Sequence, residues 1–384
     1  MRRVRWEIFL PVADFSSATC DLSPKKASVS IPTTMWAAVY RGDGIVRTER
    51  IPTPEIGRGE ILVEVQSCGI CHTDLKKVQS NLLPPPRVYG HEIAGIVAAV
   101  GDDVDSYIPG DRVIVFHHIP CGDCFYCKRR LYAQCATYKR VGVTAGFEPS
   151  GGGFAQYVRV MDWIVRRGVE RIPAEVSFDQ ACWVEPVNTC LKAVSMLLVE
   201  RGDVVAILGQ GPIGLIFTVL VKREGATVFA SDTIPHRLSL SSELGAVAAD
   251  PRKPDFEAAI RAQTNERGAD AVIVASNAAG LVDQALRISR PGAKILLFAQ
   301  TSISERVELC GADICVGERT LLGSYSADVD LQAESARLVF SGAMPLERLI
   351  THRVPLSEIG EGIETALHPS ERSLKVVVRP QETG

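Results

Sequence analysis

The stretch that decides the fold runs Val204-Val205-Ala206-Ile207-Leu208-Gly209-Gln210-Gly211-Pro212-Ile213-Gly214. Five apolar residues read as a buried strand, and the pattern from Ile213 to Glu224 reads as a helix. Between them lies a G-x-G-x-x-G hexapeptide. Alone it is weak, but at a strand-to-helix turn it is the fingerprint of a dinucleotide site. Gly209 permits the tight turn, Gly211 lets the backbone approach a pyrophosphate, and Gly214 lets helix and strand pack closely. Pro212 and Ile213 open the helix, whose free N–H groups favour negative charge. Asp232 ends the next strand, 18 residues after Gly214. A carboxylate there accepts hydrogen bonds from a ribose 2′-OH and repels a 2′-phosphate, which predicts NAD over NADP. Arg237, about one turn further on, is placed to reach the same ribose.

Downstream, the alternation continues. Thr227 to Ser231, Ala271 to Ala275 and Lys294 to Ala299 read as strands. Pro235 to Leu244 and Leu281 to Ser289 read as helices between them. Strand–helix alternation predicts an α/β fold with a doubly wound parallel sheet. Upstream, residues 36–165 are β-rich, with turn signals such as Gly42-Asp43-Gly44 and Pro109-Gly110-Asp111. Helices near Leu331 to Ser341 and Leu356 to Ala366, then a strand from Leu374 to Val378, close the chain. We expect a β-rich domain from 35–187 with 326–384, and a dinucleotide-binding domain over 188–325. Residues 1–34 read as an N-terminal extension, with Met35 as a candidate natural start.

The 384 residues suffice for two domains, and 46% apolar with 23% charged is a globular balance. A net charge of −3 argues against a nucleic-acid surface, and no apolar run suits a membrane span. Eleven cysteines, an odd count, do not resemble a disulfide framework. Free thiols point to a reducing, cytoplasmic setting.

Cys121, Cys124, Cys127 and Cys135 follow the spacing C-x2-C-x2-C-x7-C. Short chelating loops of this kind suit a closed, structural tetrahedral zinc site. An iron–sulfur cluster is the alternative, disfavoured by the missing proline after the last cysteine and the lack of a second cluster motif. Gly69-Ile70-Cys71-His72-Thr73-Asp74 and Tyr89-Gly90-His91-Glu92 offer a cysteine and a histidine from separate segments. With a third carboxylate, such a set would leave one coordination position open.

On these motifs, together with Gly110 to Val113 and their common order and spacing, the chain resembles the zinc-dependent medium-chain dehydrogenase/reductase family from Met35 onward. The resemblance implies a GroES-like catalytic domain beside a Rossmann domain, two zinc ions per subunit, and hydride transfer between NAD and a CH–OH group. It implies Cys71 and His91 as catalytic zinc ligands. In the polyol and sorbitol branch the third ligand is a Glu in a Glu-Pro pair, here Glu185-Pro186. Glu92 is similar to an alternate ligand, and Asp74 to the carboxylate that orients the ligating histidine. Thr73 matches the hydroxyl that takes the proton from the alcohol; Lys76 stands where many relatives end the relay with a histidine. His72 occupies a position near the pyrophosphate, and Lys375 resembles a basic residue that contacts the cofactor. Cys182 and Cys190 read as buried small residues. His117 and His118 would make the substrate pocket polar. The resemblance implies an alcohol, polyol or sugar-alcohol substrate and a homodimer or homotetramer. An L-threonine dehydrogenase-like activity and a non-catalytic member are the other readings.

Overall fold

The computed structural model describes residues 30–140, 142–148, 151–253, 255–299 and 306–382. Its contacts divide the chain into Met1–Ile31 and Pro32–Gly384, and the described strands and helices all belong to the second unit. The expected extension over 1–34 falls almost wholly outside the described residues.

The decisive stretch forms a strand, Val204–Leu208, at the centre of a six-stranded parallel sheet. The spatial order is Val247–Ala249, Thr227–Ser231, Val204–Leu208, Ala269–Val274, Ser289–Leu297 and Thr320–Gly323. Numbered along the sequence this is 3-2-1-4-5-6, the doubly wound Rossmann order. Side chains alternate between faces with a period of two. Val204, Ala206 and Leu208 face one apolar cluster, with Phe256, Ile260 and Leu286 from two covering helices. Val205 and Ile207 face the other way, towards Leu215, Phe217 and Val228. Both faces are dry, which is why the strand reads as a continuous apolar run.

The upstream region is β-rich, as expected. One sheet holds eight strands, in the order Ile350–Pro355, Lys375–Arg379, Ile61–Gly69, Glu92–Val100, Arg112–Val115 and Val169–Arg171, with Tyr157–Val160 paired beside Ile61–Gly69 and Val143–Thr144 paired beside Tyr157–Val160. A second sheet pairs Thr34–Gly42 with Ile45–Pro52 and Arg87–Val88. The C-terminal strand Lys375–Arg379 pairs antiparallel with Ile61–Gly69, so the end of the chain returns to the β-rich region.

A helix, Val184–Leu197, runs without a break across the expected junction at 187/188. Pro186 is tolerated because it sits in the first turn, where its missing N–H has no partner to lose. Val187, Cys190 and Val194 belong to an apolar cluster that continues from the β-rich core to one face of the parallel sheet. Among the described residues no helix is long and apolar enough to cross a membrane.

Candidate active site

Register builds the first part of the site. Ile61–Gly69 and Glu92–Val100 are antiparallel neighbours, with Gly69 opposite Glu92. Cys71 lies just beyond the end of one strand and His91 just before the start of the other, so the pairing delivers both to one place. Ligand atoms of Cys71, His91 and Glu92 all lie within 4.8 Å of one another.

Asp74 ties the two segments together. Cys71 caps the helix His72–Gln79, and the Cys71 N–H donates to Asp74 Oδ2 at 3.3 Å. His91 Nδ1–H donates to Asp74 Oδ1 at 3.0 Å, and the Gly90 N–H reaches the same oxygen at 3.4 Å. This engages Nδ1 and leaves Nε2 as the nitrogen for an ion. Burial alone would raise the Asp74 pKa, but His91 and its hydrogen bond bring it below the ordinary carboxylate value. Burial likewise opposes protonation of His91, yet Asp74 and Cys71 hold its pKa well above the usual imidazole value.

Lys375, the residue the resemblance gives as a cofactor contact, is buried beside Glu92. It is absent from the residues lining the cleft, and its side chain is 7% exposed. The ammonium forms an ion pair with Glu92 and donates to the Ile70 carbonyl at 3.1 Å. The C-terminal strand pairs with Ile61–Gly69, and this brings the Lys375 side chain against Gly69. A Cβ at Gly69 would collide with the Glu92 carboxylate and the Lys375 side chain, so that close approach requires glycine.

Glu185 lies in the first turn of the Val184–Leu197 helix and lines the same cleft. Burial pushes its pKa up to about 7, against the opposing pull of His91. It is outside the tight cluster, whose carboxylate is that of Glu92. A thiol, an imidazole with one free nitrogen and two nearby carboxylates are a donor set that fits zinc. Cys182 and Cys190 are 2% and 0% exposed, the buried small residues expected.

The cleft has a volume of about 760 Å³. Cys71, His72, Thr73, His91 and Glu185 line one part; Gly209, Gly211, Pro212, Ile213, Asp232 and Arg237 line another. Gly209 has φ +98°, and a Cβ at Gly214 would collide with the Gly209 carbonyl. A Cβ at Gly211 would meet only Arg237 Nη1, at 4.0 Å, so this turn presents bare backbone to the cleft. Asp232 accepts from the backbone N–H groups of Gln210 and Ile234 at 2.7 and 2.9 Å, and Arg237 Nη1 stands 3.6 Å away. The carboxylate is thereby fixed at the strand end.

The four-cysteine lobe is compact. Sγ–Sγ separations are 3.8 Å for Cys121–Cys127, 3.5 Å for Cys124–Cys127 and 3.7 Å for Cys135–Cys121. Four thiolates about 2.3 Å from one tetrahedral zinc stand about 3.8 Å apart, so the lobe fits a single ion. An iron–sulfur cluster, with each thiolate on its own iron, needs wider spacing. Burial opposes ionisation of Cys135, but the backbone N–H groups of Cys121 and Tyr138 bring its pKa down to about 6. Burial pushes Cys127 up to about 12. The ten described cysteines are all free thiols.

His117 and His118 also line the cleft. Ring centroids step from His91 to His117 (4.8 Å), to His118 (3.9 Å) and to Tyr138 (5.0 Å). Burial, then neighbouring positive charge, keeps His117 neutral well below its usual range and His118 down to about 3. Neither Nδ1 has a hydrogen-bond partner among the described residues. Sequence reasoning missed Lys77, Tyr138, Lys139, Ser276 and Asn277, all of which line the cleft. Lys77 was findable: it follows Thr73 by four residues and so shares its helix face.

Two family models match the chain: the alcohol dehydrogenase GroES-like domain over residues 57–170, and the zinc-binding dehydrogenase over 212–341. A sorbitol dehydrogenase of Bacillus subtilis (strain 168) is 29% identical, over 91% of this chain and 99% of the relative. An L-threonine 3-dehydrogenase of Symbiobacterium thermophilum is 32% identical, over 86% of this chain and 93% of the relative. Among solved structures, a proposed zinc-binding dehydrogenase of Sinorhizobium meliloti 1021, bound to NADP, superposes with a TM-score of 0.82 at 31% identity. That match covers 91% of this chain and all of the other.

Proposed function

The chain belongs to the zinc-dependent medium-chain dehydrogenase/reductase family and is an alcohol or polyol oxidoreductase that works with zinc and a nicotinamide dinucleotide; from that premise we propose that it oxidises a secondary alcohol of a hydroxylated substrate, with NAD preferred over NADP. The observation that carries this reading is the single cleft. One wall holds Cys71 and His91, joined through Asp74, and another holds the bare turn from Gly209 to Ile213.

Cys71, His91 and Glu185 would hold the catalytic zinc, with Glu92 as alternate ligand. The structure supports this through the shared cleft and through the nearness of Glu92, which Lys375 restrains. When bound, zinc stabilises the anion of a substrate hydroxyl, and the nicotinamide accepts the hydride. Thr73, half-buried in the cleft, is the hydroxyl that receives the substrate proton. Asp74 holds His91 in one tautomer. Asp232 and Arg237 take the adenosine ribose, the Gly209 to Gly214 turn takes the pyrophosphate, and His72 stands at the rim. The Asp232 carboxylate supports NAD because it would face a 2′-phosphate with like charge. Cys121, Cys124, Cys127 and Cys135 would hold a second, structural zinc.

We place the division between the 35–187/326–384 and 188–325 domains within the Val184–Leu197 helix, and assign a cytoplasmic homodimer or homotetramer. The test is coenzyme reduction by the zinc-loaded protein across alcohols, polyols, sugar alcohols and L-threonine. Turnover with NAD exceeding that with NADP is expected. Silence with both coenzymes, zinc and coenzyme being bound, would promote the non-catalytic reading.

A further inference from the structure

The substrate end of the cleft carries two lysines that the chemistry above does not use. Lys77 lies on the helix His72–Gln79, on the same face as Thr73. It is half-buried, with its ammonium 5.6 Å from the centre of the Tyr89 ring. It lines the same cleft as His117 and His118. Lys139 follows Tyr138 and contacts only a neutral group, Gln134 Oε1 at 3.4 Å. Among the described residues neither ammonium forms an ion pair with a carboxylate. Arg237, which also lines the cleft, is by contrast paired with Asp232. The oxygens of Asp74, on the same helix as Lys77, already serve Cys71, Gly90 and His91.

Lys77 is half-buried and Lys139 exposed at the edge of the cleft, and a half-buried ammonium with no carboxylate beside it gains most from a ligand that supplies the counter-charge. His117 and His118 add unpartnered ring nitrogens along the same wall, 7% of His117 being exposed. Two cations, two imidazoles and Tyr138 thus line the cleft that also holds Cys71 and His91.

We infer that the substrate is an alcohol bearing an oxyanion group, a carboxylate or a phosphate monoester, held by Lys77 and Lys139 along the His117–His118–Tyr138 wall while its hydroxyl faces Cys71 and His91. The inference rests on the alcohol-oxidising reading above and names its substrate class. The reaction itself is unchanged: the carbinol carbon loses a hydride to the coenzyme and its oxygen loses a proton. The anion is a handle and takes no part in bond making.

The experiment compares matched triads on carbon chains of increasing length: a polyol, the corresponding aldonate, and the polyol phosphate monoester. Each is assayed by coenzyme reduction with the native protein and with Lys77→Gln and Lys139→Gln. Inorganic phosphate and glycerate are titrated calorimetrically into the same three proteins. The expected result is a kcat/KM for an anionic member at least about tenfold above its neutral partner. Each substitution should cut that ratio by about tenfold, mainly through KM, and weaken anion binding in the calorimeter. Aldonates preferred over phosphates, or the reverse, identifies which oxyanion the pocket takes. Neutral polyols turned over as well as or better than both anions, with ratios unmoved by the substitutions, would overturn the inference and leave the parent reading intact. No turnover of any member, with zinc and coenzyme bound and no anion affinity, would overturn both.

Discussion

The two candidate metal sites are built from opposite logics. The lobe gathers four thiols within 15 residues, and the few apolar groups around them are Ala133, Tyr132 and Tyr138. It has almost no core of its own, so an ion there substitutes for packing. The cleft site draws Cys71, His91, Glu92 and Glu185 from distant parts of the chain and faces a cavity. Its donors are mixed, and its geometry depends on strand register, one helix cap and the C-terminal strand. A closed set of identical ligands is a fastener. An open, mixed set is held in place by the fold and leaves room for a substrate.

That contrast can be broken first at Cys71. Replacing it with serine should abolish turnover, a loss of about a thousandfold or more, because activation of the hydroxyl goes with the ion. Steady-state kinetics alongside a thermal melt checks this, since the melt should move little. A large fall in Tm with partial activity would mean that Cys71 is a fastener after all.

Asp74→Asn should come next. The loss of the carboxylate that orients His91 should lower zinc affinity at the cleft by roughly 10–100-fold, read by chelator competition, with the lobe's affinity unaltered. Equal weakening at both sites would refute the separation between them.

Acidification sharpens the same comparison. Ligation needs His91 without its proton on Nε2 and Glu185 ionised. His91 is pushed well up by Asp74 and Cys71 after burial's opposing effect, and Glu185 is raised by burial to about 7. Protons therefore compete for the cleft as pH falls through neutrality, and affinity should drop by about tenfold per pH unit for each proton displaced. In the lobe Cys135 is brought down to about 6 and Cys121 is lowered chiefly by backbone hydrogen bonds from Asp123 and Cys124, and although burial pushes Cys127 up to about 12, the closed set of four thiols holds the ion by chelation. Zinc retention measured at stepwise lower pH should show the cleft emptying before the lobe.

The smallest effect on turnover should come from Cys121→Ser. Activity per folded molecule should fall by less than about tenfold. Stability should suffer instead, by several kcal/mol, or roughly 5–10 °C in Tm. Calorimetry and initial rates on one sample separate the two.

Much of this was readable in the sequence, for local reasons. The strand–turn–helix at Val204 to Glu224 and the cysteine spacing declare themselves because their partners are close in the chain. Thr227–Ser231 appears at its expected limits, since a parallel strand buried on both faces has an unambiguous pattern. The helix Val184–Leu197 did not, because its buried residues and Pro186 obscure the helical period. The buried position of Lys375 was not legible, for a different reason. Its partner Glu92 is brought to it by a strand pairing between Lys375–Arg379 and Ile61–Gly69, which no local pattern announces. Lys77 is similar in this respect: it looks like a solvated surface lysine until the cleft is assembled around it, whereas Lys139 stays exposed at the cleft's edge.

The most direct test of the account is zinc content per chain, by metal analysis of purified native protein, Cys71→Ser and Cys121→Ser, with initial rates on the same samples. The account predicts two ions in the native chain and one in each variant, with turnover lost only in Cys71→Ser. Native protein with a single ion, or a Cys121→Ser variant that loses turnover while keeping its fold and one ion, would contradict it.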